Sequence, residues 1–369
     1  MRRRRVAFII VIQSILLLVH AFVCFTWIQF WGVTDPRSVW RLAVLFVLLS
    51  VSFVAASLLA FRYSHFLVRI LYTLSAVWLG VVNYLFLAAG ACWICYALAM
   101  LAGLRGERRS LAILLSGLAL LTSLYGIVNA SRPRIKRITV KLPNLPDSWR
   151  GRVAAMVSDT HLGPVRGAGF AGRVVAIVAQ LRPDIVFLAG DLYDGTAADT
   201  DRLAQAFANL SPPLGAYFVT GNHEEFSDRT KYLEALTRAG IRVLNNEKLT
   251  LDGLQIVGVL YRESVHQQHF QSVLEQASLD RSRPSILLTH VPHHLSVVAA
   301  QGISLQLSGH THGGQFFPHT RIVSRIYGRF AYGCQNFENL IVYTSCGAGT
   351  WGPPVRVGTR PEIVLIRFE

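Results

Sequence analysis

Residues 153–161 read Val-Ala-Ala-Met-Val-Ser-Asp-Thr-His: a short apolar run without helical spacing, then a polar turn that ends in Asp159 and His161. A run of this length with no polar alternation reads as a strand buried on both faces. The same sentence is written four more times. The run 185–189 leads through Gly190 to Asp191 and Asp194, and 217–220 leads through Gly221 to Asn222 and His223. The run 286–289 ends at His290, and 305–307 leads through Gly309 to His310-Thr311-His312. Further strands are expected at 254–259, 340–343 and 363–368, and helices at 169–180, 200–208, 228–239 and 268–277. Strands alternating with helical segments define a layered α/β domain.

In open α/β sheets, ligands bind beyond the carboxyl ends of the strands. A single Asp after a strand is ordinarily a turn or a helix cap. Five loops that each end a strand with Asp, Asn or His are a site. Chain order also demands local geometry: His310 and His312 would project oppositely from an extended segment, so both can face one point only if Gly309, Gly313 and Gly314 allow a tight loop.

Outward from this domain, the composition changes. Over all 369 residues, 52% are hydrophobic and 15% charged, well below the roughly 25% charged residues of a soluble domain. Residues 1–150 carry 17 Lys and Arg against 3 acids, whereas 151–369 carry 19 against 18. Of the net charge of +15, the first part holds +14, and a nucleic-acid-binding role for the nearly neutral second part is not expected. Residues 2–5, all arginine, precede an apolar stretch at 6–31, too long for the core of a cleaved signal peptide. Further spans are expected at 42–61, 70–101 and 110–130, the third with 61–69 lying in the interface; two short helices in its place would reverse the topology.

The anchor region is thus 1–131, followed by a linker at 132–151 and the α/β domain at 152–369. With four spans, arginines 2–5, Arg62, Arg69, Arg132, Arg134, Lys136 and Arg137 share one side, against Arg37, Arg41, Arg105, Arg108 and Arg109 on the other. By that excess both ends, and the α/β domain, are expected in the cytoplasm; the membrane is expected to be a bacterial inner membrane. His20, alone in its span, reads as a helix–helix hydrogen bond. Five scattered cysteines make no disulfide framework.

The five blocks resemble, in content and order, the calcineurin-like metallophosphoesterase superfamily: Asp159-Thr160-His161, Gly190-Asp191-Leu192-Tyr193-Asp194, Gly221-Asn222-His223-Glu224, His290 and Gly309-His310-Thr311-His312. The extended GHTHGGQ at 309–315 and the closing GAGTWGPPVRVGTRPEI resemble the membrane-anchored branch of YkuE- and YaeI-type proteins. The resemblance implies a four-layer α/β/β/α sandwich with two divalent transition-metal ions (Mn, Fe or Zn). It implies that Asp159, His161 and His312 hold one ion, that Asn222, His290 and His310 hold the other, and that Asp191 bridges them. Mixed nitrogen and oxygen donors suit such metals rather than calcium. Two close ions can clamp both the attacking and the leaving oxygen of an in-line displacement.

By the same resemblance His223 supplies a proton or hydrogen bond to the phosphate, oriented by Asp194, with a carboxylate neighbour expected to raise its pKa. The implied activity is hydrolysis of a phosphodiester or pyrophosphate by metal-activated water. The substrate would be a phosphorylated small molecule or a lipid-linked compound such as UDP-diacylglucosamine, with the lipid bilayer as the other partner. A non-catalytic membrane sensor or scaffold, keeping the fold to bind a phosphate ligand, is the alternative. His293 and His294 are weaker candidates for substrate contact, Glu224 is expected to shape its loop, and Trp351 is expected in the core.

Overall fold

Each apolar run that ends in a polar turn is a strand in the computed structural model, which describes residues 2–104 and 107–369, with side chains from Val6 onward. Arg105, one of the basic residues counted for orientation, lies outside the described residues. The chain divides into two units, Met1–Val128 with Gly352–Val355, and Asn129–Trp351 with Arg356–Glu369.

The first unit contains α1 (Arg2–Trp31), α2 (Pro36–Ala60), α3 (Phe66–Leu101) and α4 (Arg108–Ala130). All four are long and apolar enough to cross a membrane. The α2 helix starts six residues before the expected span because Asp35 caps it, accepting the Ser38 amide hydrogen at 2.9 Å, with Pro36 in the first turn. Residues 66–101 form one helix, not two, and it already includes Arg69, so 66–69 are helical rather than a separate interfacial piece. His20 behaves as its isolation suggests: it accepts a hydrogen from Trp78 Nε1 at 2.9 Å, and its own Nδ1 meets the Leu16 carbonyl at 2.7 Å.

The second unit is built from twelve strands: β1 (Arg134–Val140), β2 (Val153–Val157), β3 (Ile185–Ala189), β4 (Ala216–Val219), β5 (Arg242–Val243), β6 (Glu247–Leu251), β7 (Leu254–Val259), β8 (Ser285–Thr289), β9 (Leu305–Ser308), β10 (Gly333–Phe337), β11 (Leu340–Thr344) and β12 (Glu362–Phe368). Its helices are α5 (Ala168–Gln180), α6 (Thr200–Ala204), α7 (Arg229–Arg238), α8 (Tyr261–Ser264), α9 (Gln267–Gln276), α10 (Leu295–Ala300) and α11 (His319–Tyr327). One sheet runs β1-β12-β2-β3-β4-β5 and the other β10-β11-β9-β8-β7-β6.

Side-chain alternation explains the layering. Along β2 and β3, Ala154, Met156, Ile185 and Phe187 point into a core shared with Ile256, Ile286, Leu288, Leu305 and Leu307 of the other sheet. Their neighbours Ala155, Val157, Val186 and Leu188 face outward onto Phe170, Val174 and Val178 of α5 and Leu236 of α7. The second sheet covers its outer face with Phe270 and Leu274 of α9 and Val297 and Val298 of α10. The result is the α/β/β/α sandwich, with strands apolar on both sides because both sides are buried.

Several elements depart from the sequence-based expectation. Residues 134–140, read as linker, form β1 and pair in parallel with β12. Their sequence, RIKRITV, is too basic to read as a strand, but it sits at the sheet edge, where charged side chains face water. The helix expected over 200–208 stops at Ala204 and continues as a 3-10 turn. The α8, α10 and α11 helices were not anticipated.

Candidate metal centre

Strands β2, β3, β4, β8 and β9 all end at one edge, and the five polar loops meet there. Asp159, His161 and His312 form one group of converging donor atoms, and Asp191, His290 and His310 form another. In the first, Nε2 of His161 lies 2.9 Å from Nε2 of His312, which is itself 3.5 Å from Asp159 Oδ1. In the second, Nε2 of His290 lies 3.1 Å from Asp191 Oδ2, and Nδ1 of His310 is 2.9 Å from Asn222 Oδ1. Asp191 Oδ2 is also 3.9 Å from His161 Nε2, so this one oxygen faces both groups. Its other oxygen accepts the His223 amide hydrogen at 2.9 Å, which fixes the carboxylate in that pose.

The local backbone is unusual. Asp159, His161, Asp191, His310 and His312 all adopt left-handed torsions, with φ between 47° and 72°. Such torsions cost a non-glycine residue about 1–3 kcal/mol and cluster at functional sites. The His310–His312 segment forms the tight loop that the neighbouring glycines allow, and it turns both rings into the cluster. Two glycines are required by close approach alone. A Cβ at Gly221 would stand 2.1 Å from Asp191 Oδ1, and one at Gly309 would stand 2.2 Å from Asp159 Oδ2. Glu224, completely buried, accepts the amide hydrogens of Gly221, Asp191 and Tyr193 at 2.7–3.0 Å and ties two of the loops together.

Electrostatics sharpen the contrast among these groups. Burial pushes the Asp159 carboxyl up to about 6, against the opposing pull of His290. Burial also disfavours a charge on His290, yet the adjacent Asp191 carboxylate outweighs it and raises the imidazole to about 9. Burial alone would raise Asp191, but His290 and His223 hold it well below the carboxylate range. His161 and His312 are held low by burial and by neighbouring cationic groups, and His310 is held at about 3 by burial and His290. Three imidazoles are therefore neutral donors at physiological pH, as metal ligation requires.

Among the described residues, Nδ1 of His161 and Nε2 of His290 are buried outside hydrogen-bonding geometry. His290 gives its Nδ1 hydrogen to the Ala189 carbonyl at 2.8 Å, which aims Nε2, and the proton that an ion would displace from it, at Asp191 Oδ2 3.1 Å away. Oxygen and imidazole donors in two groups that converge on one carboxylate oxygen fit a pair of divalent transition ions.

His223 stands beside the first group, its ring 4.5 Å from that of His161. The backbone carbonyl of Asp194 takes its Nδ1 hydrogen at 2.9 Å, while the Asp194 carboxylate is 3.9 Å away. Contrary to the expectation of a raised pKa, burial lowers His223, and Asp191 and the Asp194 carbonyl only partly offset it. His293 stacks on Tyr327 with rings 5.5 Å apart, whereas His294 packs on Phe270 and meets the Val265 carbonyl at 3.3 Å. Trp351, expected in the core, is exposed, its ring 5.8 Å from that of His223.

Arg356 was given no role by the sequence. It is completely buried, donates to the carbonyls of Cys346, Gly349 and His312 at 2.6–3.3 Å, and brings Nη2 to 3.0 Å from His312 Nδ1. A lone arginine in a Gly- and Pro-rich segment (349–358) is the signal that could have found it, since such a segment cannot bury a guanidinium unless carbonyls surround it.

Comparison with known proteins agrees with this geometry. The calcineurin-like phosphoesterase family model matches residues 154–314. A metallophosphoesterase of Aquifex aeolicus is 32% identical over 257 residues, which cover 68% of this chain and 98% of that one. A transmembrane protein with metallophosphoesterase domain from Danio rerio is 34% identical over 262 residues, 66% of this chain and 59% of that one. The metallophosphoesterase YkuE of Bacillus subtilis is 29% identical over 243 residues, 63% and 84% of the respective chains. The chain belongs to the calcineurin-like metallophosphoesterase family, whose members use a dinuclear metal centre, and its four apolar helices make it an integral membrane protein. It spans about three fifths of the length of its vertebrate relatives.

Proposed function

We propose that this chain is a membrane-anchored, two-metal-dependent phosphoesterase that hydrolyses a phosphodiester or pyrophosphate bond. One observation carries the reading: two groups of buried donors share the single oxygen Asp191 Oδ2. Asp159, His161 and His312 would hold one ion, and Asn222, His290 and His310 the other. Divalent ions in such a pair supply Lewis acidity and lower the pKa of water. The chain's own residues do the rest. His223, with Nδ1 anchored on the Asp194 carbonyl, presents Nε2 to the substrate as hydrogen-bond or proton donor. A lowered pKa leaves His223 neutral at rest with Nε2 bare, so Nε2 first takes a proton from solvent water or from a protonated phosphate oxygen and then gives that proton to the leaving oxygen. His293, stacked on Tyr327, would meet the remainder of the substrate.

The four apolar helices favour a lipid-linked phosphate, of which UDP-diacylglucosamine is one example. The excess of basic residues on one side of the spans favours a cytoplasmic catalytic unit at a bacterial inner membrane. A reporter enzyme fused after Glu369 that is active only in the periplasm would overturn that orientation. The activity is tested with the full chain in detergent and manganese, assayed on bis-p-nitrophenyl phosphate. Asp191→Asn is expected to lose both ions and all turnover, because the shared oxygen serves both groups. Two ions per chain retained in this variant would overturn the assignment.

A further inference from the structure

Large apolar side chains left in water by the second unit are not scattered. Apart from Ile135 at its start, they are Phe226, Trp351, Phe317, Ile322, Ile326 and Tyr332. Phe226 and Trp351 lie against His223, with ring centroids 4.5 and 5.8 Å away. The other four belong to the excursion 316–337, whose helix α11 contains no buried residue. Tyr327 of this helix stacks on His293 and lies 6.2 Å from the His310 ring, so α11 borders the same cleft. Phe226, Trp351 and α11 therefore border the mouth of the metal centre.

The sequence of α11, HTRIVSRIY, sets Ile322 and Ile326 one turn apart on the same face, 50% and 67% exposed. Arg321 and Arg325 lie beside them and Arg329 follows, all exposed, and no Asp or Glu occurs between Asp280 and Glu338. Isoleucines flanked by arginines on a helix without a buried face match a helix that lies in a bilayer interface, with its apolar stripe among acyl chains and its cations among anionic head groups. A second copy of this chain would bring an equally basic face against it, which opposes a two-fold contact. In the chain, only Ser131 to Pro133 separate the last apolar helix from β1.

We propose that α11, with Phe226 and Trp351, docks the mouth of the site onto an anionic bilayer surface, so that the phosphoester is drawn from a lipid head group. The docking stands on these residues alone; the identity of the bond cleaved rests on the phosphoesterase reading above. The full chain is reconstituted in nanodiscs of equal parts phosphatidylcholine and phosphatidylglycerol, with the exposed Cys95 and Cys334 changed to serine. Nitroxide labels are placed through Ile326→Cys or Ser324→Cys. Position 326 is expected to collide with dissolved oxygen and be shielded from an aqueous nickel chelate, and position 324 the reverse. In pure phosphatidylcholine discs, or with Arg321→Gln and Arg325→Gln, the shielding at 326 should fall.

Equal access of the chelate to both positions overturns the proposal, and so does dipolar broadening that appears only with two copies per disc, which would make a second chain the occupant. A second arm separates the two readings. Ile322→Glu with Ile326→Glu should leave hydrolysis of soluble bis-p-nitrophenyl phosphate unchanged. The same change should lower hydrolysis of a p-nitrophenyl phosphodiester anchored in the disc by about tenfold. Equal loss on both substrates overturns the docking. Absence of turnover by the unaltered chain on either substrate overturns the phosphoesterase reading, with the label result still able to stand.

Discussion

His20 in α1 and His290 after β8 are both buried, and both approach a backbone carbonyl through Nδ1, at 2.7 Å to Leu16 and 2.8 Å to Ala189. They differ at the other nitrogen. Nε2 of His20 accepts a hydrogen from Trp78, so the ring is complete as a bridge between two helices. Nε2 of His290 faces a carboxylate 3.1 Å away, outside hydrogen-bonding geometry and within a cluster of like groups. Burial and a carbonyl partner are thus common to a structural histidine and a candidate ligand. What separates them is what the second nitrogen faces: a neutral N–H of the next helix for His20, and for His290 a carboxylate oxygen that a second cluster of donors also faces.

That contrast can be broken experimentally, starting with the group whose loss should matter most. His223→Ala is expected to keep both ions, measured by elemental analysis, while kcat falls by ~10²–10⁴-fold; loss of an ion would make His223 a ligand instead. Arg356→Met should weaken binding of one ion by about 10–100-fold, as loss of a group that orients a ligand does, with the second ion unaffected in a calorimetric titration. Unchanged affinity for both ions would leave Arg356 as a support of the closing segment alone.

Proton linkage gives a finer test. Metal displaces a proton from His290, raised to about 9, and below about 6 from Asp159 as well. Manganese affinity should therefore rise from pH 6 to pH 9 and level off once His290 is neutral, with proton release visible as a buffer-dependent heat. A flat profile would mean that His290 does not ligate. Smallest is the effect of His20→Phe, which leaves the Trp78 N–H without a partner. It should cost about 0.6–2 kcal/mol of stability with metal content and turnover intact.

Residue types and their spacing carry much of this on their own. Asp159, His161, Asp191, Asn222, His290, His310 and His312 each follow a strand that was readable from its apolar run, and strand ends are where an α/β sheet gathers its loops. The four apolar helices were readable because a bilayer-spanning length leaves little choice. What escaped the sequence escaped for stated reasons. The RIKRITV of β1 looks like a solvated linker because an edge strand needs few apolar residues. The α11 helix buries nothing, so the periodicity that marks other helices has no core to match. Arg356 is held by backbone carbonyls, which every sequence contains and none advertises. His223 was expected to be more basic because a carboxylate was counted and its own desolvation was not.

Positive φ at Asp159, His161, Asp191, His310 and His312 has one further consequence. Glycine adopts such torsions without steric penalty, so at each of these five positions the sturdier polypeptide is the one that has given up its side chain. An acid or an imidazole at all five positions therefore carries a backbone cost that its donor atoms have to repay.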